Sequence, residues 1–253
     1  MPQDIAVILI EDPVLSNILS HNLNLPLIEA KEPKNITDFF AVIFIKDKKI
    51  CIQQCGRNAP GAIYVDFSDS KLLYRIKNGG VKNQMIAKAI GIKNLGKCTI
   101  LDATAGLGKD SFILASLGCK LIMCERSEII YSLLLNGLER ASEDLNISNI
   151  ISNMTLLKTD AYEYIKYNKN HADIVYIDPM FPSNNKSALA KKEMQLFKHI
   201  VGKDLDSDKL LIAALNNSYK RIVVKRYKTS PFLAGIKPAT QLDGKTNRYD
   251  IYL

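Results

Sequence analysis

Long apolar runs are what this chain most conspicuously lacks: none approaches the roughly 18 uncharged residues that a membrane-spanning helix requires. The opening Met1-Pro-Gln-Asp4 also lacks the basic residues of a secretory signal. A soluble protein of the cytoplasm is therefore expected. Cysteine is sparse and odd in number. Cys51, Cys55, Cys98, Cys119 and Cys124 include no pair at the two-residue spacing of a zinc site, and His21, His171 and His199 are scattered. Idle thiols in a reducing compartment, and no metal, are expected. Acids are missing altogether from residues 71–97, which hold seven Lys and Arg. Residues 180–228 hold eleven Lys and Arg against four acids, so these two segments carry more than the whole formal net charge of +8. Positive charge concentrated in this way favours a polyanionic partner.

What is present is ordinary globular composition, 253 residues with 47% hydrophobic and 24% charged. That is enough for one substantial core with a small appended domain. Ile5 to Ile10, Ala41 to Ile45, Ile50 to Gln53 and Ile63 to Phe67 are short runs rich in Ile, Val and Phe. They predict a small β-rich domain over residues 1–75, with Lys46-Asp-Lys-Lys49 turning a hairpin. A break at Asn78-Gly79-Gly80 precedes a helix bearing Met85, Ile86, Ala89 and Ile90, stopped by Gly91.

From Thr99 strand and helix signals alternate. Strands are predicted at Thr99 to Ala103, Leu121 to Cys124, Thr155 to Leu157, Ile174 to Ile177 and Arg221 to Val224. Helices are predicted around Phe112 to Leu117, after a Ser127 cap, along Ala190, Met194, Phe197 and Val201, and over Asp208 to Leu215. A final antiparallel pair is expected near Thr240 and Arg248 to Leu253. The pattern predicts an α/β domain over residues 76–253, with a mostly parallel sheet and helices on both faces. Ligands of such sheets lie at the carboxyl ends of the strands.

Two strand ends carry chemistry. Asp102-Ala-Thr-Ala-Gly106-Leu-Gly108 joins the first strand to a helix. Gly106 and Gly108 clear room for a ligand, and the helix start offers free N–H groups. A P-loop would need Gly at Ala103 and Ser or Thr at Asp110. A dinucleotide loop leaves the acid at 102 unexplained, whereas a ligand bearing an ammonium group accounts for it. Glu125 ends the second strand, where a carboxylate suits ribose hydroxyls, and Asp160 follows the third, where it suits an adenine amine. The other motif, Asp178-Pro-Met-Phe-Pro182, ends the fourth strand. It is either a rigid turn or a device for presenting an exocyclic amine. In the second reading Asp178 and the carbonyl of Pro179 accept the two N–H bonds, and Phe181 stacks on the base.

Residues 102–110, Cys124-Glu-Arg126, Tyr176-Ile-Asp-Pro-Met-Phe-Pro182 and Lys186-Ser-Ala-Leu-Ala-Lys-Lys-Glu-Met194 together resemble the RsmJ family of bacterial 16S ribosomal RNA guanine-N2 methyltransferases. The likeness covers about the last three quarters of the chain. It implies a class I S-adenosylmethionine-dependent methyltransferase fold with a small N-terminal β-rich domain. It also implies methylation of a guanine amine in the 3′-terminal hairpin of 16S RNA, with the small ribosomal subunit as partner. By position, Lys109-Asp110, Glu125-Arg126, Asp160-Ala161 and Asp178 would line the cofactor alongside Asp102, Gly106 and Gly108. Other acceptors with the same strand-end geometry are adenine N6 and a glutamine amide. A non-catalytic RNA-binding assembly factor and a dinucleotide-dependent oxidoreductase are the readings from other classes.

Overall fold

Apolar runs in the N-terminal region become β1 (Ile5–Ile8), β2 (Leu27–Ile28), β3 (Ala41–Lys46) and β4 (Lys49–Gln54). They form a four-stranded sheet of order β2-β1-β3-β4, with β1 parallel to β2 and β3, and β3 antiparallel to β4. The computed structural model describes residues 4–78, 84–92, 98–168, 171–179, 196–202 and 206–253. Two compact units divide the chain. One draws on Met1–Val65, Ser127–Gly137 and Ser183–Lys203, the other on Asp66–Arg126, Leu138–Pro182 and Asp204–Leu253.

In the first unit the β3–β4 hairpin turns on Asp47 and Lys48, both left-handed at φ 51° and 62°, the geometry that matches strand twist in a two-residue turn. The strand pattern passed over one helix, Pro13–Leu23. Its start was signalled by Pro13 in the first turn and by Asp12, whose carboxylate accepts from Leu15 N at 2.9 Å. Ile63 to Phe67 does not extend as a strand. Only Ile63 pairs, exchanging both backbone bonds with Ile52.

The second unit holds β5 (Thr99–Asp102), β6 (Lys120–Glu125), β7 (Met154–Lys158), β8 (Ile174–Ile177), β9 (Arg221–Tyr227), β10 (Thr240–Asp243) and β11 (Asn247–Tyr252). Their order is β10-β11-β9-β8-β5-β6-β7, parallel from β9 to β7 and antiparallel at β10 and β11. All four β8 residues are buried, as expected of a central strand covered on both faces. On one face Leu101, Val175, Ile177 and Val224 pack with Ile165, Leu210 and Leu211 from the helices Ala161–Tyr167 and Ser207–Leu215. Each such side chain contributes about 1.5–3 kcal/mol on burial. Phe112, from the helix Lys109–Ala115, stacks its ring 4.9 Å from Phe67.

Helices Met85–Ile90, ended by left-handed Gly91, and Glu128–Ser142 stand where periodicity predicted them, while Ser70–Asn78 is an additional helix. Of the stripe Ala190, Met194, Phe197 and Val201, the last two fall in helical residues 196–201, and the first two lie outside the described residues. The chain steps outward from β5 through β6 to β7, and from β8 to β9 on the other side. The sheet therefore reverses direction between β5 and β8, and the carboxyl ends of those two strands open the crevice where such folds hold ligands.

Candidate active site

Asp102 and Asp178 stand at that reversal, one ending β5 and the other following β8. Thr104 ties the two strand ends together: its Oγ1 accepts from Asp178 N at 2.7 Å, while Ala103 N donates to Tyr176 O at 2.9 Å. The intervening loop is shaped from behind. Asp102 is 2% exposed and accepts from Ser111 Oγ at 2.5 Å and Thr104 N at 3.1 Å. Burial pushes its carboxyl up to about 7; those two hydrogen bonds pull the other way, and the nearby carboxylates of Asp110 and Asp178 add to the rise. Gly106 has φ 55°, and a Cβ there would meet only Thr104 O, at 3.8 Å, so backbone conformation demands the glycine more than crowding does. Gly108, at φ 71°, is the N-cap of Lys109–Ala115.

Across the reversal two expected residues, Asp110 and Asp178, are joined by a lysine that sequence reading missed. Lys225 Nζ, on β9, stands 2.8 Å from Asp178 Oδ2 and 2.8 Å from Asp110 Oδ2. Tyr176 on β8, 1% exposed, donates its hydroxyl to the same Asp110 oxygen at 2.8 Å. Burial alone would lower the Lys225 pKa, but the carboxylates of Asp178 and Asp110 hold it well above the usual range. Burial likewise opposes ionisation of Asp110, and the Lys225 ammonium outweighs it, keeping that carboxyl below its ordinary value. The predicted strand ended at Val224, one residue short of this lysine. A charge directly after Ile222-Val-Val224 was the available signal, since a lysine inside a buried strand needs partners.

The other candidates fall around the same edge of the sheet. Glu125, 7% exposed at the end of β6, accepts from Gly106 N at 3.1 Å. Asp160 caps Ala161–Tyr167 by accepting from Tyr162 N at 2.8 Å, and it also pairs with Arg126 at 3.3 Å. Arg126 further pairs with Asp206, at the start of Ser207–Leu215. Ala161 is buried in the first turn and Lys109 is exposed. Pro179 is buried beside Asp178, whereas Phe181 and the stretch Lys186 to Lys192 lie outside the described residues. No group of three or more His, Cys, Asp and Glu side chains that could hold a metal occurs among the described residues.

A protein-family model described as "Putative SAM-dependent methyltransferase" matches residues 28–253. The chain belongs to this family. Its relatives include the ribosomal RNA small subunit methyltransferase J of Marinobacter nauticus, 42% identical over 95% of this chain and 87% of the relative. That of Cellvibrio japonicus is 43% identical over 94% and 92%. A crystal structure of a SAM-dependent methyltransferase from Neisseria gonorrhoeae is 31% identical and superposes with a TM-score of 0.71, covering 98% of this chain and 96% of the other. The likeness thus reaches well into the N-terminal unit, beyond the motifs that first pointed to it.

The donor set of this methyltransferase fits S-adenosylmethionine. That molecule presents an ammonium, two ribose hydroxyls and an adenine amine, all hydrogen-bond donors. Carboxylates able to accept from such donors stand at or just after the ends of adjacent strands, Asp178, Glu125 and Asp160, while Asp102 lies behind the loop on Ser111 and Thr104.

Proposed function

We propose that this methyltransferase transfers the methyl group of S-adenosylmethionine to the exocyclic N2 of a guanine in the 3′-terminal hairpin of 16S ribosomal RNA, in the cytoplasm where small subunits are assembled. The observation that carries the reading is the pairing of Asp178 with Lys225 at the sheet reversal, directly beside the Asp102 to Gly108 loop. The relatives' name, ribosomal RNA small subunit methyltransferase J, and the clustered basic charge supply the substrate class.

The bound cofactor would supply an electrophilic methyl on a sulfonium. Lys109, Asp110, Glu125, Arg126, Asp160 and Ala161 would hold it with Gly106 and Gly108, and Asp102 would act from behind the loop by fixing Thr104 and Ser111. A guanine amine is a poor nucleophile because its lone pair is delocalised into the ring. Asp178 and the Pro179 carbonyl would each accept one of its N–H bonds, aligning the lone pair, and Phe181 would cover the base face. Lys225 fixes the Asp178 carboxylate in place and supplies its counter-charge. Residues 1–75 form, in this reading, a small β-rich domain that assists in holding the RNA.

The decisive variant is Asp178→Ala. It is expected to keep RNA affinity within about threefold and to lose methyl transfer by 100-fold or more, about 3 kcal/mol of transition-state stabilisation. Undiminished transfer would remove Asp178 from the mechanism.

A further inference from the structure

The N-terminal unit contains a cavity of about 520 Å³ that the methyltransferase chemistry does not use, a size suited to a small ligand or a single nucleotide. It lies on one face of the β3–β4 hairpin. Side chains alternate along a strand, so Phe44 and Lys46 on β3 share that face with Lys49, Cys51 and Gln53 on β4. Phe44 and Cys51, each 4% exposed, make an apolar floor. Lys31, Lys46, Lys49 and Tyr64 also line the cavity, and Tyr64 is 40% exposed. The Lys49 ammonium lies 4.4 Å from the centre of the Tyr64 ring, a cation–π contact that pins the ring.

The charge is unbalanced in a way that folding alone does not require. Lys46 and Lys49 are direct cross-strand partners, and like charges placed opposite each other destabilise a hairpin. Among the residues that line the cavity, three lysines, Lys31, Lys46 and Lys49, stand against two acids, Glu32 and Asp47. Glu32 is already matched by Lys34 at 2.7 Å. Lysines on a sheet edge often serve only to block strand pairing. That explanation covers Lys49 on the edge strand β4 but not Lys46, which is on the inner strand β3, nor Lys31, which belongs to neither strand.

We propose that this cavity binds a single-stranded nucleotide of the RNA substrate, with Tyr64 stacking on the base and Lys31, Lys46 and Lys49 holding the flanking phosphates. An apolar floor, one exposed ring and a cationic rim are the combination by which single strands are held without sequence readout. The inference rests on RNA being the substrate.

The test uses the full chain, an RNA hairpin carrying the 3′-terminal loop, and the variants Tyr64→Ala and Lys46→Ala/Lys49→Ala. Stabilisation by S-adenosylmethionine at the wild-type level certifies that each variant is folded. Tyr64→Ala is expected to raise KM for the hairpin by roughly 10-fold with kcat within twofold. The double variant is expected to flatten the log–log salt dependence of hairpin binding by about 1.4, the contribution of two phosphate contacts on a single strand. Wild-type KM and slope in both variants, with wild type active, would overturn the cavity's role alone. A wild type that methylates no RNA would overturn the substrate reading and this inference together. Normal hairpin kinetics combined with lost activity on assembled subunits would assign the cavity to a ribosomal protein instead.

Discussion

Lys225 holds two carboxylates at once, each at 2.8 Å, so its removal unbalances both sides of the proposed site. Lys225→Met is expected to lower kcat roughly 100-fold, because a misplaced Asp178 loses alignment of the amine, and to weaken cofactor binding through Asp110. Steady-state kinetics with both substrates varied checks this, and a change confined to KM for RNA would contradict it. Asp102 makes a prediction about pH. Its carboxyl titrates near 3.8 when unfolded and at about 7 in the fold, raised chiefly by burial. Between those values the folded protein holds the extra proton, so stability falls as pH rises through the window and levels off above about 7. Asp102→Asn removes this slope. Its melting temperature relative to wild type should therefore climb from pH 4 to pH 7, whereas parallel melting curves would exclude a raised Asp102. Asp102, Glu125 and Asp178 were legible as residues because each ends an apolar run. Ser111 and Lys225, which hold Asp102 and Asp178, and Tyr176, which holds Asp110, were not, since those contacts join positions 9 to 66 residues apart.

At the scale of elements, the antiparallel end of the sheet depends on a buried ion pair. Asp250, fully buried on β11, accepts from Arg248 Nε at 2.8 Å and Nη2 at 3.1 Å, and from Gln241 at 2.8 Å. Arg248 Nη1 meanwhile donates to the carbonyls of Tyr227, Lys228 and Ser230, latching the turn after β9. Asp250→Ala strands the guanidinium in the interior, and a loss of about 3–5 kcal/mol is expected in urea denaturation. A loss below 1 kcal/mol would mean the pair is dispensable. The parallel strands β5 to β9 were readable because central strands are continuous apolar runs, and β8 was located to the residue. Helices Pro13–Leu23 and Ser70–Asn78 were missed for a different reason. The first was obscured by the strand-rich runs around it, although Asp12-Pro13 announced its start. The second is only nine residues long, and its apolar positions Leu72 and Leu73 were absorbed into the segment assigned to the β-rich domain. Ile63 to Phe67 shows the reverse error, β-forming residues that find a partner strand at only one position.

At the scale of the molecule, a net charge of +8 on a chain whose proposed chemistry needs carboxylates means that the basic surplus serves something else. In the proposed reading phosphate contacts account for it, and RNA affinity is therefore expected to fall linearly on a log–log plot against salt, by about 0.7 to 0.9 decades per contact. A flat titration between 50 and 200 mM salt, roughly the range over which such contacts are lost, would contradict an electrostatic docking surface. The central claim is the identity of the methylated atom. It is tested most directly by supplying labelled S-adenosylmethionine to small ribosomal subunits from cells lacking this protein and identifying the modified nucleoside by mass spectrometry. The account predicts N2-methylguanosine in the 3′-terminal hairpin of 16S RNA. Label on any other base, or none despite demonstrated cofactor binding, would contradict it.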